Sequence, residues 1–447
     1  MLIPILSSIL LVLALFAGAA FGQEQPVTLS EAVTIALDRN YEIRAYRHAL
    51  SAQREDIGIA RSSLLPRISF EERFLRTDNP TYSFMAKLNQ ERFSQEDFRI
   101  RSLNDPEAIS DFQTTLAFEQ PLFAPQAWIG LRMARLDDAA GDGAYRRKRE
   151  EIAFKVTRTY FSLLTAKEQA GAAERTVEDT REHLRIARVR HDAGLGLYSD
   201  VLRASTAVTG AEQRLVTAQK NLEIARRALG LLLGRGEPVT AADVAPSDMQ
   251  VSDIASYLAA ASGRNDLRAL AMRAESAKNG VTRAEAAYLP TVGVGGAYQL
   301  NDHNIPFGAE GQSWQVTAFL RWTLFDGTRR KHERAQAASR AAETEEMLQG
   351  LRDTVSFQVH EAYLEVAEAK KNTELARSAL ETAEEGTRLV RIRYENSLSP
   401  LVDLLDAQIS LDQARAGYAA RKNEYRIAVA NLAYASGTIL KDLKREQ

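Results

Sequence analysis

The sequence predicts an α+β membrane protein in which one structural unit, made of long coiled-coil helices and two strands, is written twice. Three observations carry this prediction. The passage Arg190–Ser205 recurs as Arg393–Gln408, long segments are rich in helix-forming residues, and four short segments alternate polar and apolar residues. Together they indicate an internally duplicated chain that contains both helical rods and amphipathic strands.

The composition narrows the possible functions. The chain has 447 residues with 57 basic and 59 acidic side chains, so it lacks the basic excess that neutralises phosphates, and no nucleic-acid partner is expected. It contains no cysteine. Disulfide bonds, thiolate metal sites, cysteine nucleophiles and a lipidated N-terminal cysteine are therefore excluded.

Residues 1–22 are expected to form a signal peptide. An apolar run covers Ile5–Phe21, and the small residues Ala20 and Gly22 suit a signal-peptidase site. A retained membrane anchor is the alternative, because the run is almost long enough to span a bilayer and no Lys or Arg precedes it. No later segment approaches the roughly 18 unbroken apolar residues of a spanning helix, which excludes a polytopic helical transporter.

The duplication sets the domain organisation. A shift of 203 residues aligns Tyr160, Arg190 and Asp200 with Tyr363, Arg393 and Asp403. Glycine, proline and small polar residues then interrupt the helical pattern between the copies. We place a first repeat at 23–234, a linker at 235–250, a second repeat at 251–437 and a C-terminal tail at 438–447.

Each copy is predicted to contain a helical hairpin. Pro125–Arg190 and Thr328–Arg393 run without a strong helix breaker, which corresponds to rods of about 100 Å. The chain reverses at Gly194–Tyr198 and Asn396–Pro400, so the hairpin tips lie at about 191–201 and 394–404. Apolar residues step alternately by four and three along the first returning helix, which is typical of a coiled-coil seam: Ala211, Leu215, Ala218, Leu222, Ala225, Leu229 and Leu232.

Three aspartates follow the tips. Asp200 and Asp403 stand where an N-cap or first-turn carboxylate satisfies the free N–H groups of the returning helix, and this capping role is as well supported by the sequence as a functional one. Asp406 lies three residues beyond Asp403 on the same helical face. The two carboxylates therefore repel each other unless solvent or a partner intervenes.

Four segments alternate with a period of two and are predicted strands, at about 66–75, 111–120, 290–299 and 313–323. Their length suits a tilted bilayer crossing, and aromatic residues cluster near their ends. Two hairpins on a soluble core are the alternative, and Glu72 on the apolar side of the first strand counts against a lipid-facing surface. The connections Arg76–Ser110 and Gln299–Gln312 are expected to be outward-facing loops, and Asp326 is expected to cap the long helix that follows the last strand.

Four strands are too few for a closed barrel, and an open sheet edge is not tolerated in lipid. The chain is therefore expected to oligomerise. Two copies would supply eight strands and three copies twelve, and the larger number leaves more room for a lumen.

The pattern resembles the TolC-type outer-membrane efflux proteins over essentially the whole mature chain. The resemblance rests on the duplicated architecture, on QPLF (Gln120–Phe123) and LFDG (Leu324–Gly327), and on the tip sequences GLGLYSDVLRA and SLSPLVDLLDA. It implies a homotrimer with a 12-stranded transmembrane β-barrel, four strands per protomer, in the outer membrane of a Gram-negative bacterium, continued by a helical barrel across the periplasm. It also implies contact with outer-membrane lipid, a periplasmic adaptor (membrane fusion) protein and an inner-membrane pump, and hence an exit duct for a tripartite efflux or type I secretion system.

The resemblance also assigns roles to tip residues. Asp403 and Asp406 resemble the aspartates of the family's periplasmic gate. Asp200, Ser199 and Tyr394 resemble an inter-helix lock, although Ser399 stands where the family has an arginine. The turns at Gly194, Leu195, Ser397 and Leu398 resemble the adaptor-docking tips, with Ser397 in place of the usual glycine.

No catalytic, cofactor or metal site is expected. The sequence has no nucleophile motif, and its six histidines lack metal-ligand spacing. His183 and His191 flank a tip and are expected on a solvated helical surface. Two alternatives to a duct remain at this point: a periplasmic coiled-coil structural or adaptor protein, which has no need of lipid-facing strands, and, more remotely, an enzyme that uses the tip carboxylates.

Overall fold

A computed structural model describes residues 26–244 and 251–445, and the expected signal peptide lies outside them. The described strands are β1 (Arg67–Thr77), β2 (Ile109–Phe123), β3 (Thr291–Asp302) and β4 (Gly311–Arg321). The described helices are α1 (Leu29–Arg39), α2 (Tyr41–Ser62), α3 (Pro80–Asn89), α4 (Ile100–Asn104), α5 (Pro125–Asp192), α6 (Tyr198–Leu232), α7 (Ile254–Ala261), α8 (Asn265–Ala286), α9 (Arg329–Glu395), α10 (Leu401–Ala435) and α11 (Ile439–Arg445).

The long helices come in pairs of nearly equal length. Helices α5 and α9 have 68 and 67 residues, α6 and α10 have 35 each, and α2 and α8 have 22 each. Pro125 begins α5, where its missing N–H costs nothing. Asp326 accepts a hydrogen bond from the backbone N–H of Arg330 at the start of α9, as its predicted capping role requires.

The described chain divides into two compact units. The first comprises the residues up to Arg47, Tyr145–Asn265 and the residues from Arg352 onward, and it holds the hairpin tips and the returning helices α6 and α10. The second comprises His48–Ala144 and Asp266–Leu351, and it holds the sheet. Every residue of the predicted α6 seam is buried or half-buried.

The core of the first unit surrounds Tyr160, which is fully buried. Its hydroxyl lies within hydrogen-bond distance of two carbonyl oxygens, those of Val27 (3.0 Å) and Ala242 (2.7 Å). Burial raises the pKa of the phenol to about 12. Val27 also forms a parallel bridge with Ala241. The described part of the expected linker is thus packed into this core, and residues 245–250 lie outside the described chain.

The segment expected as a C-terminal tail is also structured where it is described. It contains α11, and Ile439 in this helix is only 2% exposed. Burying such a side chain contributes about 1.5–3 kcal/mol. The polar residues of α11 concealed this anchoring, because a seven-residue helix is too short to display a periodic apolar face.

The second unit contains one antiparallel sheet with strand order β1-β2-β3-β4. The register places Ile68 opposite Phe118, Leu116 opposite Tyr298, and Tyr298 opposite Trp314. Since side chains alternate across a strand, these residues share one face of the sheet. The face is apolar and exposed to the surroundings of the single chain: Ile68, Phe70, Phe74, Leu116, Phe118, Tyr298, Trp314, Val316 and Leu320.

Glu72 interrupts this apolar face, but its carboxylate is hydrogen-bonded. The Thr114 hydroxyl donates to one carboxylate oxygen (2.5 Å), and the backbone N–H of Phe307 donates to the other (3.3 Å). Phe307 lies in the connection between β3 and β4, so Glu72 joins the sheet to a loop. The sequence could not reveal this partner, because it is distant along the chain.

The long connection after β1 differs from the expected loop. It contains α3, a 3₁₀ turn at Gln95–Phe98 and α4. Asn79 caps α3 by accepting from the N–H groups of Thr81 and Tyr82, ahead of a proline at the first helical position. Lys87 forms an ion pair with Asp97 at 2.7 Å. The hydrogen bonds that Asp97 accepts from Lys87 and from the backbone N–H of Ser94 lower its pKa to about 2.

The fold class predicted from the sequence is confirmed: long paired helices combine with a small antiparallel sheet of four strands. Among the described residues, no helix combines the length and the apolar composition needed to cross a bilayer.

Candidate functional site

The two hairpin tips adopt the same turn. The backbone N–H of Leu195 donates to the carbonyl oxygen of Arg190 (2.8 Å), and that of Leu398 donates to the carbonyl oxygen of Arg393 (2.7 Å). The residue before each leucine has a left-handed backbone, with φ of 69° at Gly194 and 64° at Ser397. This is the helix-ending motif that normally uses glycine.

The helices that follow the tips begin without a side-chain cap. Leu197 and Pro400 occupy the N-cap positions, and neither forms a capping hydrogen bond through its side chain. Asp200 and Asp403 lie in the first turns, where a carboxylate is favoured by the helix dipole. The capping interpretation therefore holds only as a first-turn charge effect.

A small apolar cluster joins the two hairpins near their tips. Its buried members are Ala187 of α5, Ala204 of α6, Tyr394 of α9, and Leu401 and Leu404 of α10. Burial raises the pKa of the Tyr394 phenol, with Arg190 acting to lower it and Asp200 to raise it.

The three residues proposed as a lock are thus not equally engaged. Tyr394 is buried and lies within electrostatic reach of Asp200, whereas Ser199 is exposed. Within residues 26–244 and 251–445, no hydrogen bond joins the Tyr394 hydroxyl to Ser199 or Asp200. In this single chain Tyr394 is held by packing instead.

Arg190 is a tip residue that the sequence prediction missed. Its guanidinium donates to the carbonyl oxygen of Tyr394 (2.7 Å) and to the hydroxyl of Ser397 (3.0 Å), and it stacks over the Tyr394 ring at 4.9 Å. One side chain of the first hairpin thereby binds the last turn of α9 in the second. The signal in the sequence was the alignment of Arg190 with Arg393, but that alignment does not say which arginine reaches across.

Ser399 occupies the place of the family's arginine. It is half-buried, and its hydroxyl oxygen is buried without a hydrogen-bond partner in the described chain. A side-chain hydrogen bond between the two tips is made by Arg190.

Asp403 and Asp406 are both exposed on α10. They lie one helical turn apart, and neither carboxylate has a hydrogen bond or ion pair within the described residues of the chain. Unpaired carboxylates on one face attract cations and repel each other. Their chemistry suits a cation-attracting constriction if copies of this face converge.

Of the docking residues expected at the tips, the two leucines are exposed apolar side chains. Leu195 is 71% exposed and Leu398 is 68% exposed, and Leu197 and Tyr198 extend the surface of the first tip. Both equivalent turns therefore expose a leucine in the single chain.

The histidines near the first tip differ in environment. His191 is exposed and contacts the ring of Tyr198 at 5.5 Å between centroids. The expectation of a solvated position is wrong for His183, which is 2% exposed. Its helix face is covered by α9 and α10, and such cross-hairpin packing cannot be read from the local sequence.

One group of side chains in the described residues has metal-ligand chemistry. Single ligand atoms of Asp302, His303 and Glu310 lie within 4.8 Å of one another in the connection between β3 and β4. His303 Nδ1 already contacts Glu310 at 2.6 Å, and Asp302 accepts from two backbone N–H groups of the same turn. These contacts account for the cluster, and we assign no ion to it.

The fold and the tips define a class of protein. A four-stranded sheet with one exposed apolar face, combined with helical hairpins whose long helices have 68 and 67 residues and whose returning helices have 35 each, is typical of an outer-membrane export channel with a helical extension. The chain belongs to the outer membrane efflux protein family, whose model matches residues 32–235 and 257–438. It is therefore an outer-membrane protein with an efflux role, which favours the duct over the periplasmic adaptor and the enzyme.

Individual relatives agree with this assignment. The chain is 27% identical to outer membrane protein TolC of Vibrio cholerae, over 96% of this chain and 95% of that protein. It is 23% identical to the alkaline protease secretion protein AprF of Pseudomonas aeruginosa, over 91% and 83%. Its fold is similar to the crystal structure of the Campylobacter jejuni CmeC outer membrane channel, with a TM-score of 0.77, 17% identity, and coverage of 94% and 89%.

Proposed function

We propose that three copies of this chain form a passive exit duct of a tripartite efflux or type I secretion system, with a periplasmic gate lined by Asp403 and Asp406. Export is the shared element of the relatives described above, one of which is named as a secretion protein and another as an outer membrane channel. The observation that carries the proposal is the exposed apolar face that extends across all four strands, interrupted in β1 by Glu72.

The sheet supports assembly of several copies. Within the described chain, β1 pairs only with β2, and β4 pairs only with β3, so each outer strand has one unpaired edge. Such edges are costly in lipid and are removed by pairing with a neighbouring copy. Three copies give about twelve strands, which encloses a wider lumen than the roughly eight strands of a dimer.

The gate proposal rests on the exposed carboxylates of α10. With one pair in each protomer, a trimer places six negative charges around its threefold axis. Such a ring favours cations and is costly to hold closed, so the closed state requires contacts elsewhere in the tips. The Arg190 contacts with Tyr394 and Ser397 supply them within each chain.

The tips are proposed to bind the periplasmic adaptor, which links the duct to an inner-membrane pump. The exposed leucines at Leu195 and Leu398 supply an apolar contact at two equivalent turns. A repeated turn on two hairpins offers an adaptor two similar sites per protomer. Gly194 and Ser397 fix the backbone that presents these leucines.

The gate is tested in planar bilayers with the purified protein. Replacing both carboxylates, Asp403→Asn and Asp406→Asn, should lower single-channel conductance for cations severalfold at low salt and weaken block by multivalent cations, because the charge that concentrates cations in the ring is removed. Asp192→Asn is the matched control, an exposed aspartate at the end of α5. Unchanged conductance and block in the double variant would remove these residues from the gate.

A further inference from the structure

A buried polar cluster lies two helical turns above the tip of the first hairpin. At its centre is His183 of α5, which is 2% exposed and has neither ring nitrogen hydrogen-bonded in the described chain. Most buried polar groups in proteins have partners, so an orphaned imidazole requires an explanation. His183 is also one turn from Ala187, a member of the cluster that joins the hairpins.

Three helices contribute groups around the imidazole. Asp179 and Glu182 lie on α5, Arg391 faces His183 from α9, and Gln408 faces it from α10. Gln408 is 2% exposed, and its amide nitrogen donates to Asp179 (3.2 Å) and to Asp412 (3.1 Å). The site is thus a polar junction between the two hairpins.

The junction is incompletely satisfied. The amide oxygen of Gln408 and Nε of Arg391 are also buried without a partner in the described residues. Arg391 approaches Asp179 only at 3.9 Å, a distance at which the pair is weak. Asp179 is therefore shared by Gln408 and Arg391, and no carboxylate in the described residues is hydrogen-bonded to His183.

The electrostatic environment favours the neutral imidazole. Burial lowers the pKa of His183 from its ordinary value of 6.5, and Arg391 lowers it further, against the charges of Asp179 and Glu182 and the nearby side chain of Gln408, which approaches the ring without hydrogen-bond geometry. The packing that buries a neutral His183 is therefore stable above this ordinary value and loses stability as the pH falls through the folded-state pKa.

Asp412 acts in the opposite sense. Burial raises its pKa above the ordinary value of 3.8, while hydrogen bonds from Thr176 and Gln408 and the charges of Arg214 and Arg415 lower it. Its stabilising contribution is present below that value and is lost as the pH rises through its folded-state pKa. Acid therefore stabilises the packing through Asp412 and weakens it through His183.

We propose that His183 is an acid-sensitive element of the entrance: protonation places a second positive charge beside Arg391 in the buried junction and loosens α5 from α9 and α10. This inference rests on the proposed function for its consequence, which is a wider entrance in mild acid. The loosening itself is a property of the purified protein. Near this junction, the Thr387 hydroxyl donates to the carbonyl oxygen of Ala407 and joins α9 to α10.

Hydrogen–deuterium exchange of the full-length protein tests the loosening at about pH 7.5 and about pH 5.5, after correction for the intrinsic exchange rate. Protection of peptides covering residues 176–190 and 401–412 should fall severalfold in acid. His183→Gln should abolish this loss, and His191→Gln, which changes the exposed histidine of the same hairpin, should retain it. The wild-type comparison needs no substitution, so equal protection at the two pH values refutes the proposal even if His183→Gln does not fold.

Equal wild-type protection at the two pH values would overturn the assignment, as would an acid response that persists in His183→Gln. Bilayer conductance separates this result from the proposed function. A pH-dependent conductance that survives in His183→Gln originates elsewhere and contradicts the inference. A protein that shows the exchange response but conducts no ions contradicts the duct and leaves the role of His183 supported.

Discussion

At the scale of single residues, the tips show how one turn is built from two different amino acids. Gly194 and Ser397 share a left-handed backbone, a conformation that costs a residue with a Cβ about 1–2 kcal/mol. Ser397 tolerates it while its hydroxyl accepts from Arg190. The backbone of the serine is therefore strained, while its side chain forms a contact between the hairpins.

Replacing Gly194 by alanine should destabilise the protein by about 1 kcal/mol. A Cβ at this position meets nothing within 4 Å, so the whole cost is conformational. Gly386→Ala is the matched control, since Gly386 lies inside α9 with equally free space and should gain about 0.5–1 kcal/mol. Chemical denaturation in detergent measures both, and shifts of the same sign would refute this account of the tip.

Arg190→Gln should loosen the tip contact between hairpins. The change removes a charged hydrogen bond to the Tyr394 carbonyl and the stacking on its ring, worth about 1.5–3 kcal/mol together. We expect faster hydrogen exchange in residues 394–404 and more frequent opening in bilayers. Arg188→Gln is the control because Arg188 is exposed on the same helix. Equal exchange in the two variants would show that Arg190 does not hold the tip.

At the scale of elements, the two copies retained helix length and changed surface chemistry. The paired helices agree in length to within one residue, so the tips of the two hairpins remain level for packing. Apart from an irregular register at Pro121–Phe123, the sheet keeps its alternation through three strand pairs, which gives it one largely apolar and one polar face. Adjacent positions of one strand lie on opposite faces. The same substitution at two adjacent positions should therefore have different consequences.

Val316→Lys and Thr317→Lys test this alternation in β4. Val316 lies on the apolar face, where a lysine in contact with lipid costs about 2–4 kcal/mol at the bilayer midplane. Thr317 points to the polar face, and a lysine there should cost little. Folding into liposomes, followed as heat-modifiable assembly on gels, should fail or weaken only for Val316→Lys. Equal behaviour of the two variants would contradict the assignment of the faces.

At the scale of the whole molecule, the periodicity of apolar residues predicted the fold class, because the spacing of these residues differs between helices and strands. The positions of the four alternating segments follow from the same signal. Contacts between distant segments cannot be read from this periodicity. The Arg190 contact with Tyr394, the Glu72 contact with Phe307 and the burial of His183 all depend on packing between the two sequence repeats.

Short elements could not be predicted from the sequence either. Helix α3 begins at an Asn-Pro pair that is a recognisable start signal, but the segment around it reads as a loop because it is polar and brief. Helix α11 and the described part of the linker are anchored by a few buried residues, among them Ile439 and Val239. Such anchors are decided by the core they join, and the local pattern is too short to reveal them.

The central claim is that one chain cannot complete its own membrane wall and that three chains complete it together. The mass of the protein extracted from outer membranes in mild detergent, measured by native mass spectrometry, tests this claim most directly. We expect a particle that contains three copies and releases single chains only on heating. A particle of one or two copies under the same conditions would contradict the proposed duct.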